Sequence, residues 1–162
     1  MLTEQEFLAF MDANGFGYLR IEHPAVFACA EAELHRPKSA GVGTKNLFLC
    51  DKKARRFFLV VTTCEKTVKL DQLSTQLGVA YLRFGSEENL VHLLGVARGA
   101  VTMMSLANDI GHQVELWIDA DIWRADYFLS HPHVNTATLI LPKSELERFF
   151  ALTGHGPHFF EG

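Results

Sequence analysis

Residues 43–53 read Gly-Thr-Lys-Asn-Leu-Phe-Leu-Cys-Asp-Lys-Lys, an apolar run with two polar side chains near its start and a charged turn at its end. A second apolar run, residues 56–63, follows that turn, which predicts an antiparallel β-hairpin. Residues 130–141 read Ser-His-Pro-His-Val-Asn-Thr-Ala-Thr-Leu-Ile-Leu, again with polar side chains at the start of an apolar strand. Both segments therefore place hydrogen-bonding side chains at the start of a rigid strand.

The elements predicted around these two segments are of mixed type. Helical spacing and caps predict helices at residues 3–14, 28–34, 68–77, 86–94 and 145–152, the last capped by Ser144. Short apolar runs predict further strands at residues 18–21, 81–84, 114–118, 126–129 and 136–141. The strands outnumber what a helix bundle could use, and the order lacks the strict alternation of a doubly wound fold. We predict one α/β domain over residues 1–162, with a mixed or antiparallel curved sheet surrounded by helices.

The amino-acid composition is that of a single globular domain and disfavours several other classes of protein. A chain of 162 residues with 48% hydrophobic and 21% charged residues has the size and content of one globular domain. The net charge of -4 argues against a protein that coats nucleic acid, because such binding needs many cations. No run is long enough for a membrane span. Three widely spaced cysteines predict no disulfide framework, which fits a reducing, cytoplasmic setting.

Lys45 is the sharpest candidate for a functional side chain. A lysine inside an apolar strand either extends to solvent on the outer face or faces a cleft where its ammonium meets an anion or a carbonyl. Asn46 points to the opposite side of a regular strand, so the two serve one site only if the strand twists or ends there. Asn46 alternatively braces the backbone. The cluster of Lys52 and Lys53 with two following arginines is either a solvated turn or a local contact for a nucleic acid.

Residues 131–138 supply the second group of candidates. His131 precedes Pro132, which favours an extended backbone, and its imidazole can donate a hydrogen bond or move a proton near neutral pH. Thr136 and Thr138 would share one face of the following strand. His131 and His133 lie two residues apart, and His155 and His158 lie near the C-terminus, but no HExxH or CxxC pattern is present, so we expect no metal site. No sequence context of a serine or cysteine nucleophile is present.

Several motifs together resemble the YbaK/ProX family of aminoacyl-tRNA deacylases, relatives of the editing domain of bacterial prolyl-tRNA synthetase. The family pattern matches Lys45 to Leu49, Leu94-Gly95-Val96, Gly99 with Val101-Thr102, and His131-Pro132 with Asn135 to Thr138. The resemblance extends from about Gly15 to Gly154. Arg98 stands where the family commonly has Pro, and Met103-Met104 where it often has Pro-Phe, so these positions bear on pocket size.

The resemblance implies a free-standing hydrolase that edits mischarged tRNA without a cofactor. Its substrate would be Ala-tRNA(Pro), bound by the acceptor end and attacked by water, with prolyl-tRNA synthetase as a further partner. Catalytic candidates are Lys45, Asn46 and His131, and substrate-binding candidates are Gly95, Gly99, Asn135, Thr136, Thr138, Lys52 and Lys53. Cys-, Ser- or Thr-tRNA are alternative substrates. A binding module without turnover is the rival class, and a DNA-binding protein is disfavoured by the acidic balance.

Overall fold

The computed structural model describes residues 1–25 and 41–162. In this part of the chain the strands are β1 (Leu19–Glu22), β2 (Val42–Asp51), β3 (Phe57–Thr63), β4 (Leu82–Phe84), β5 (Val114–Asp119), β6 (Tyr127–Ser130), β7 (Ala137–Pro142) and β8 (His158–Phe160). The α-helices are α1 (Glu4–Ala13), α2 (Leu70–Leu77), α3 (Glu87–Leu94) and α4 (Lys143–Thr153), with 3-10 helices at Met103–Asn108 and Ile122–Arg124. The helix expected at residues 28–34 lies outside the described residues.

The strands form one mixed sheet in the order β1-β7-β6-β2-β3-β5-β8, with β4 also paired to β2. Strand β2 has two partners on one edge: its start pairs in parallel with β6 at Val42 and Gly43, and its end pairs antiparallel with β4 from Leu49. The opposite edge pairs with β3 along nearly its whole length. Within the described residues, β6 and β4 therefore leave a gap along β2 that contains Lys45 and Asn46.

Two apolar clusters pack against the sheet. The larger contains Phe48 of β2 and Leu139 of β7, together with side chains of α1, α3 and α4. The smaller contains Leu49 of β2 and Val60 of β3 and is closed mainly by α2. Since successive side chains of a strand point to opposite faces, even-numbered and odd-numbered residues of β2 lie on different sides of the sheet.

Most predicted elements are confirmed, and the corrections concern short or terminal ones. The capping box of Thr3 and Glu6 begins α1 as predicted, and Ser86 caps α3. The prediction that Ser144 caps the last helix is wrong, because α4 begins two residues earlier than predicted, at Lys143 after Pro142. The strand β8 was not predicted: its three residues carry no pattern, and it forms by pairing with the end of β5.

The cysteines differ from expectation at one position. Cys50 is free and buried, whereas Cys64 is disulfide-bonded, although the spacing of the cysteines predicted no disulfide framework. A disulfide depends on how close the fold brings two Cα atoms, and spacing along the chain does not give that distance. Among the described residues, no helix combines the length and hydropathy that crossing a bilayer would require.

Candidate functional site

The pairing of four strands places the main candidates on one face of the sheet. Gly43 lies beside Leu129, Leu129 opposite Ile140, and Ile140 opposite Leu19. Paired residues point to the same face, and so do residues two positions apart on one strand. Lys45, His131 and Thr138 each lie two residues from a member of that row. We call this side of the sheet the Lys45 face.

The ammonium of Lys45 is held by the backbone. Its Nζ donates a hydrogen bond of 2.5 Å to the carbonyl oxygen of Lys66, in the loop that follows β3. The side chain is half-buried, so the ammonium lies neither in the core nor free in solvent. An ammonium has three donors, and one is used on Lys66. Within residues 1–25 and 41–162 the other two donors have no partner, so they are available to an anion or a carbonyl of a ligand.

The imidazole of His131 has a defined tautomer. Its Nδ1 lies 2.9 Å from the carbonyl oxygen of Ala137, and because a carbonyl only accepts, Nδ1 carries the proton. Burial lowers the pKa of His131 below the ordinary value; the Ala137 hydrogen bond opposes this shift, and the charge of His23 adds to it. The neutral ring is thereby favoured, with a lone pair on Nε2. That nitrogen can accept a hydrogen bond from water.

His23 extends this group from β1. Its ring centroid lies 6.2 Å from that of His131, and its Nε2 shares a hydrogen bond of 2.8 Å with the hydroxyl of Thr138. Its Nδ1 donates to the carbonyl of Pro24. Thr138 therefore fixes an imidazole rather than only stabilising the sheet. Lys45, His131, Thr138 and His23 bring cationic and hydrogen-bonding groups from four parts of the chain to one face.

Asn46 lies on the other side of the sheet. It shares that side with Phe48, and its Nδ2 donates to the Thr44 hydroxyl over 3.4 Å. Its Oδ1 is buried and has no hydrogen-bond partner in the part of the chain that the structure describes. On the same side, the hydroxyls of Ser130 and Thr102 form a buried hydrogen bond of 2.9 Å. The geometry thus separates Asn46 from Lys45, as a regular strand requires.

The remaining candidates are spread more widely. Gly95 ends α3 and packs closely against Asn108 and Met1, whereas Gly99 lies in the turn that follows. Thr136 is exposed just before β7, and its carbonyl accepts from the amide of His23. Asn135 is half-buried in the same connection.

Lys52 and Lys53 are exposed in the β2–β3 turn. The turn lies seven residues beyond Lys45, a separation of about 23 Å along the strand. The structure therefore does not bring these lysines together with the Lys45 face.

The neighbouring histidines do not converge. His133 is buried on the other side, stacks on Phe7 at 4.4 Å, and faces the carbonyls of Leu2 and Met104 with its two ring nitrogens. It fixes the shape of the connection that carries His131. Among the residues that the structure describes, no group of three or more His, Cys, Asp or Glu side chains has a metal-binding arrangement.

Comparison with known proteins decides the family. The family model of the aminoacyl-tRNA editing domain matches residues 23–149. The chain belongs to this editing-domain family. It is 38% identical over 139 residues to prolyl-tRNA synthetase associated domain-containing protein 1 of Danio rerio, covering 85% of this chain and 75% of that protein. It is 31% identical over 155 residues to the prolyl-tRNA editing protein ProX of Acetoanaerobium sticklandii, covering 96% and 94%.

A structural match supports the fold of this editing-family chain. The crystal structure of a candidate trans-editing enzyme for prolyl tRNA synthetase superimposes with a TM-score of 0.69 at 17% identity, covering 100% of this chain and 99% of that one. The resemblance to the YbaK/ProX family and the mixed α/β fold are confirmed.

Sequence reasoning missed three residues of this site. His23 precedes Pro24 as His131 precedes Pro132, so the repeated dipeptide was a usable signal. Asp119, at the end of the apolar strand β5, holds Lys66 and was also visible as a buried-strand carboxylate. Lys66 itself had no distinguishing pattern, because its role depends on a backbone carbonyl.

Proposed function

We propose that this chain is an aminoacyl-tRNA deacylase that hydrolyses the ester of mischarged tRNA. The observation that carries the proposal is the half-buried ammonium of Lys45 on the same sheet face as the neutral imidazole of His131, in a member of the editing-domain family. An anion and an ester carbonyl are the groups that such a pair can recognise. The acceptor end of an aminoacylated tRNA offers both.

The mechanism we propose uses positioning instead of a covalent intermediate. Lys45 directs its two free donors to a terminal phosphate or to the scissile carbonyl, where negative charge develops during attack. His131 accepts a hydrogen bond from the attacking water at Nε2, with its ring orientation fixed by Ala137. An aminoacyl ester is already activated, so a well-placed water suffices. Asn46 is proposed to brace β2 from the other face, and Thr138 to hold His23 against the site.

Alanine attached to the tRNA for proline is the substrate we propose first. A synthetase pocket built for proline discriminates against a smaller side chain by only about 1–3 kcal/mol, which leaves errors for a second site to remove. Relatives of this chain carry names that refer to prolyl-tRNA editing and to association with prolyl-tRNA synthetase. Prolyl-tRNA synthetase is accordingly the partner we propose for tRNA selection.

Lys52 and Lys53 would contact the tRNA at a distance from the Lys45 face. They lie too far along β2 to touch the same nucleotide as Lys45, but an acceptor stem is long enough to reach the hairpin turn. Their removal should weaken tRNA binding without changing the hydrolytic step. Gly95, Gly99, Asn135 and Thr136 stay proposed as substrate-binding positions around the connection between the strands.

The test is a deacylation profile across tRNAs carrying alanine, serine, cysteine or threonine. We expect release of alanine from tRNA(Pro) by the wild-type chain, and a loss of at least about 100-fold in kcat/KM for Lys45→Ala. Lys53→Ala is the matched control: it removes an exposed lysine of the β2–β3 turn, and it should leave kcat at the wild-type value even where tRNA binding is weaker. Circular dichroism checks that both variants fold. No release from any ester, with retained binding of aminoacylated tRNA, would favour the binding module instead.

A further inference from the structure

A chain of hydrogen bonds leads away from Lys45 to a buried carboxylate. The carbonyl oxygen of Lys66 accepts from Lys45 Nζ, and the ammonium of the same Lys66 donates to Asp119 Oδ2 at 2.7 Å and Asp121 Oδ2 at 2.8 Å. The loop residue that holds the first lysine is therefore itself held by two carboxylates. We call these contacts the Lys45–Lys66–Asp119 relay.

Asp119 is a fixed anchor for this relay. Its side chain is fully buried at the end of β5, and its Oδ2 also accepts from the hydroxyl of Thr62 at 2.8 Å. Its Oδ1 accepts from the amide of Asp121. Thr62 is the residue paired with Lys45 across β2 and β3. The anchor is thus tied to the strand directly beside Lys45.

Packing alone does not fix the loop that carries Lys66. A cavity of about 230 Å³ lies beside it, lined among others by Thr62, Lys66 and Val68. On the side of this cavity no packed side chains support the loop, so its position there depends on the polar contacts of Lys66. The hydrogen bonds that Lys66 donates to Asp119 and Asp121 raise the pKa of Lys66, so its ammonium stays charged and keeps both ion pairs over the neutral range.

We propose that Lys66 is a positioning residue for Lys45, and that Asp119 sets its position. The inference rests on the proposed function, since it assigns the part of the fold that aims the Lys45 ammonium. With the carbonyl of Lys66 fixed, Lys45 presents its two remaining donors in one direction. Without the ion pairs the carbonyl moves, and Lys45 samples other orientations. A displacement of about 1 Å at a catalytic group can lower rates about 100-fold.

The test combines a direct probe of Lys45 with kinetics. Protein labelled with [ε-13C]lysine reports the environment of each lysine, and the Lys45 signal is assigned with Lys45→Arg. We expect Lys66→Met and Asp119→Asn to shift the Lys45 signal toward that of free lysine. Both should lower kcat/KM about 10- to 100-fold. The division of that loss between kcat and KM should match the division seen for Lys45→Ala.

Two further variants separate positioning from general stability. Lys66→Arg keeps a cation for Asp119 and should retain the wild-type Lys45 signal. Arg56→Met removes another ion pair, which joins the residue before β3 to Glu115 of β5 at 2.9 Å. Arg56 does not contact Lys45, so this variant should leave the Lys45 signal unchanged. Asp119→Asn could fail to fold because Asp119 is buried, so the comparison of Lys66→Met with Lys66→Arg carries the test by itself.

The outcomes distinguish this inference from the proposed function. An unchanged Lys45 signal in Lys66→Met, or an equal shift in Arg56→Met, would overturn the relay even if the chain is a deacylase. A shifted signal in Lys66→Met and a retained one in Lys66→Arg would support the relay even if the wild-type chain released no amino acid. In that case only the proposed function would fall.

Discussion

At the scale of single residues, one ring nitrogen of His131 binds the backbone and the other is available for chemistry. Nδ1 is used on the carbonyl of Ala137, and burial lowers the pKa of the ring, so Nε2 keeps its lone pair at neutral pH. A protonated ring would turn Nε2 into a donor, which cannot accept a hydrogen from water. The site is therefore expected to lose activity on acidification rather than on a rise in pH.

We predict that kcat/KM rises with pH through the pKa of His131 and is level by neutrality. The midpoint should lie below the ordinary histidine value of about 6.5, since burial lowers it. His131→Gln should lower the plateau by about 100-fold and remove this acid limb. His92→Gln, at an exposed histidine of α3, is the control. An identical acid limb in His131→Gln would contradict the assignment and point to a group on the substrate.

The sequence predicts the direction of a side chain well where the alternation of a single strand determines it. The alternation of β2 correctly places Lys45 and Asn46 on opposite sides. This alternation does not identify the residue with which either side chain forms a hydrogen bond. The contact of Lys45 with the carbonyl of Lys66 spans 21 positions, and that of His23 with Thr138 spans 115. Such contacts depend on strand order, which local patterns do not contain.

At the scale of elements, β2 is the strand on which the site depends, and its first pairing is sterically tight. Gly41 precedes the two residues that pair with β6, and its φ is +115°. A Cβ at this position would lie 2.5 Å from the backbone carbonyl oxygen of Tyr127. Only glycine lets the two strands approach here, because neither backbone can move away without breaking the pair.

We predict that Gly41→Ala destabilises the fold and separates β2 from β6. Gly15→Ala is the matched control, because Gly15 also has positive φ, at +70°, but no atom within 4 Å of a new Cβ. The control should lower the free energy of unfolding by about 1–2 kcal/mol from backbone strain alone. Gly41→Ala should cost more and also reduce deacylation, since Lys45 and His131 lie on the separated strands. Urea denaturation measures the loss of unfolding free energy in both variants. Equal losses in Gly41→Ala and Gly15→Ala would refute the steric account.

Elements with strong local signals were predictable, and those formed by pairing were not. The helices α1 and α3 have side-chain caps and apolar spacing, and both were located from the sequence to within a residue or two. Strand β8 exists because Trp117 to Asp119 of β5 offer it an edge. Similarly, the start of α4 follows Pro142 instead of a serine cap. Tertiary contacts decide these boundaries.

At the scale of the whole molecule, buried polar contacts join segments that are distant in the sequence. His155, just after α4, has its Nε2 2.9 Å from Asp109 Oδ2, and both side chains are buried. Asp109 also accepts from the amides of Gln113 and Val114 at the start of β5. Burial raises the pKa of Asp109, but the hydrogen bonds from His155 and the two amides outweigh it and leave the pKa below its ordinary value.

The lowered pKa of Asp109 predicts how stability depends on pH. A carboxyl whose pKa is lower in the folded state stabilises the protein above its unfolded pKa of about 3.9, and this contribution disappears as pH falls further. Asp109→Asn should lower the free energy of unfolding at neutral pH by about 1–3 kcal/mol, because it removes the charged acceptor of the hydrogen bonds from His155 and the two amides. The difference from wild type should shrink as the solution is acidified below about pH 4.

Urea denaturation at neutral pH and at several acidic values measures this effect. Asp71→Asn removes an exposed carboxylate of α2 and should change stability by less than about 0.5 kcal/mol throughout. A gap between wild type and Asp109→Asn that stays constant down to acidic pH would contradict the prediction. It would mean that the aspartate contributes through shape and hydrogen bonding alone, and that its charge does not couple this contact to protons.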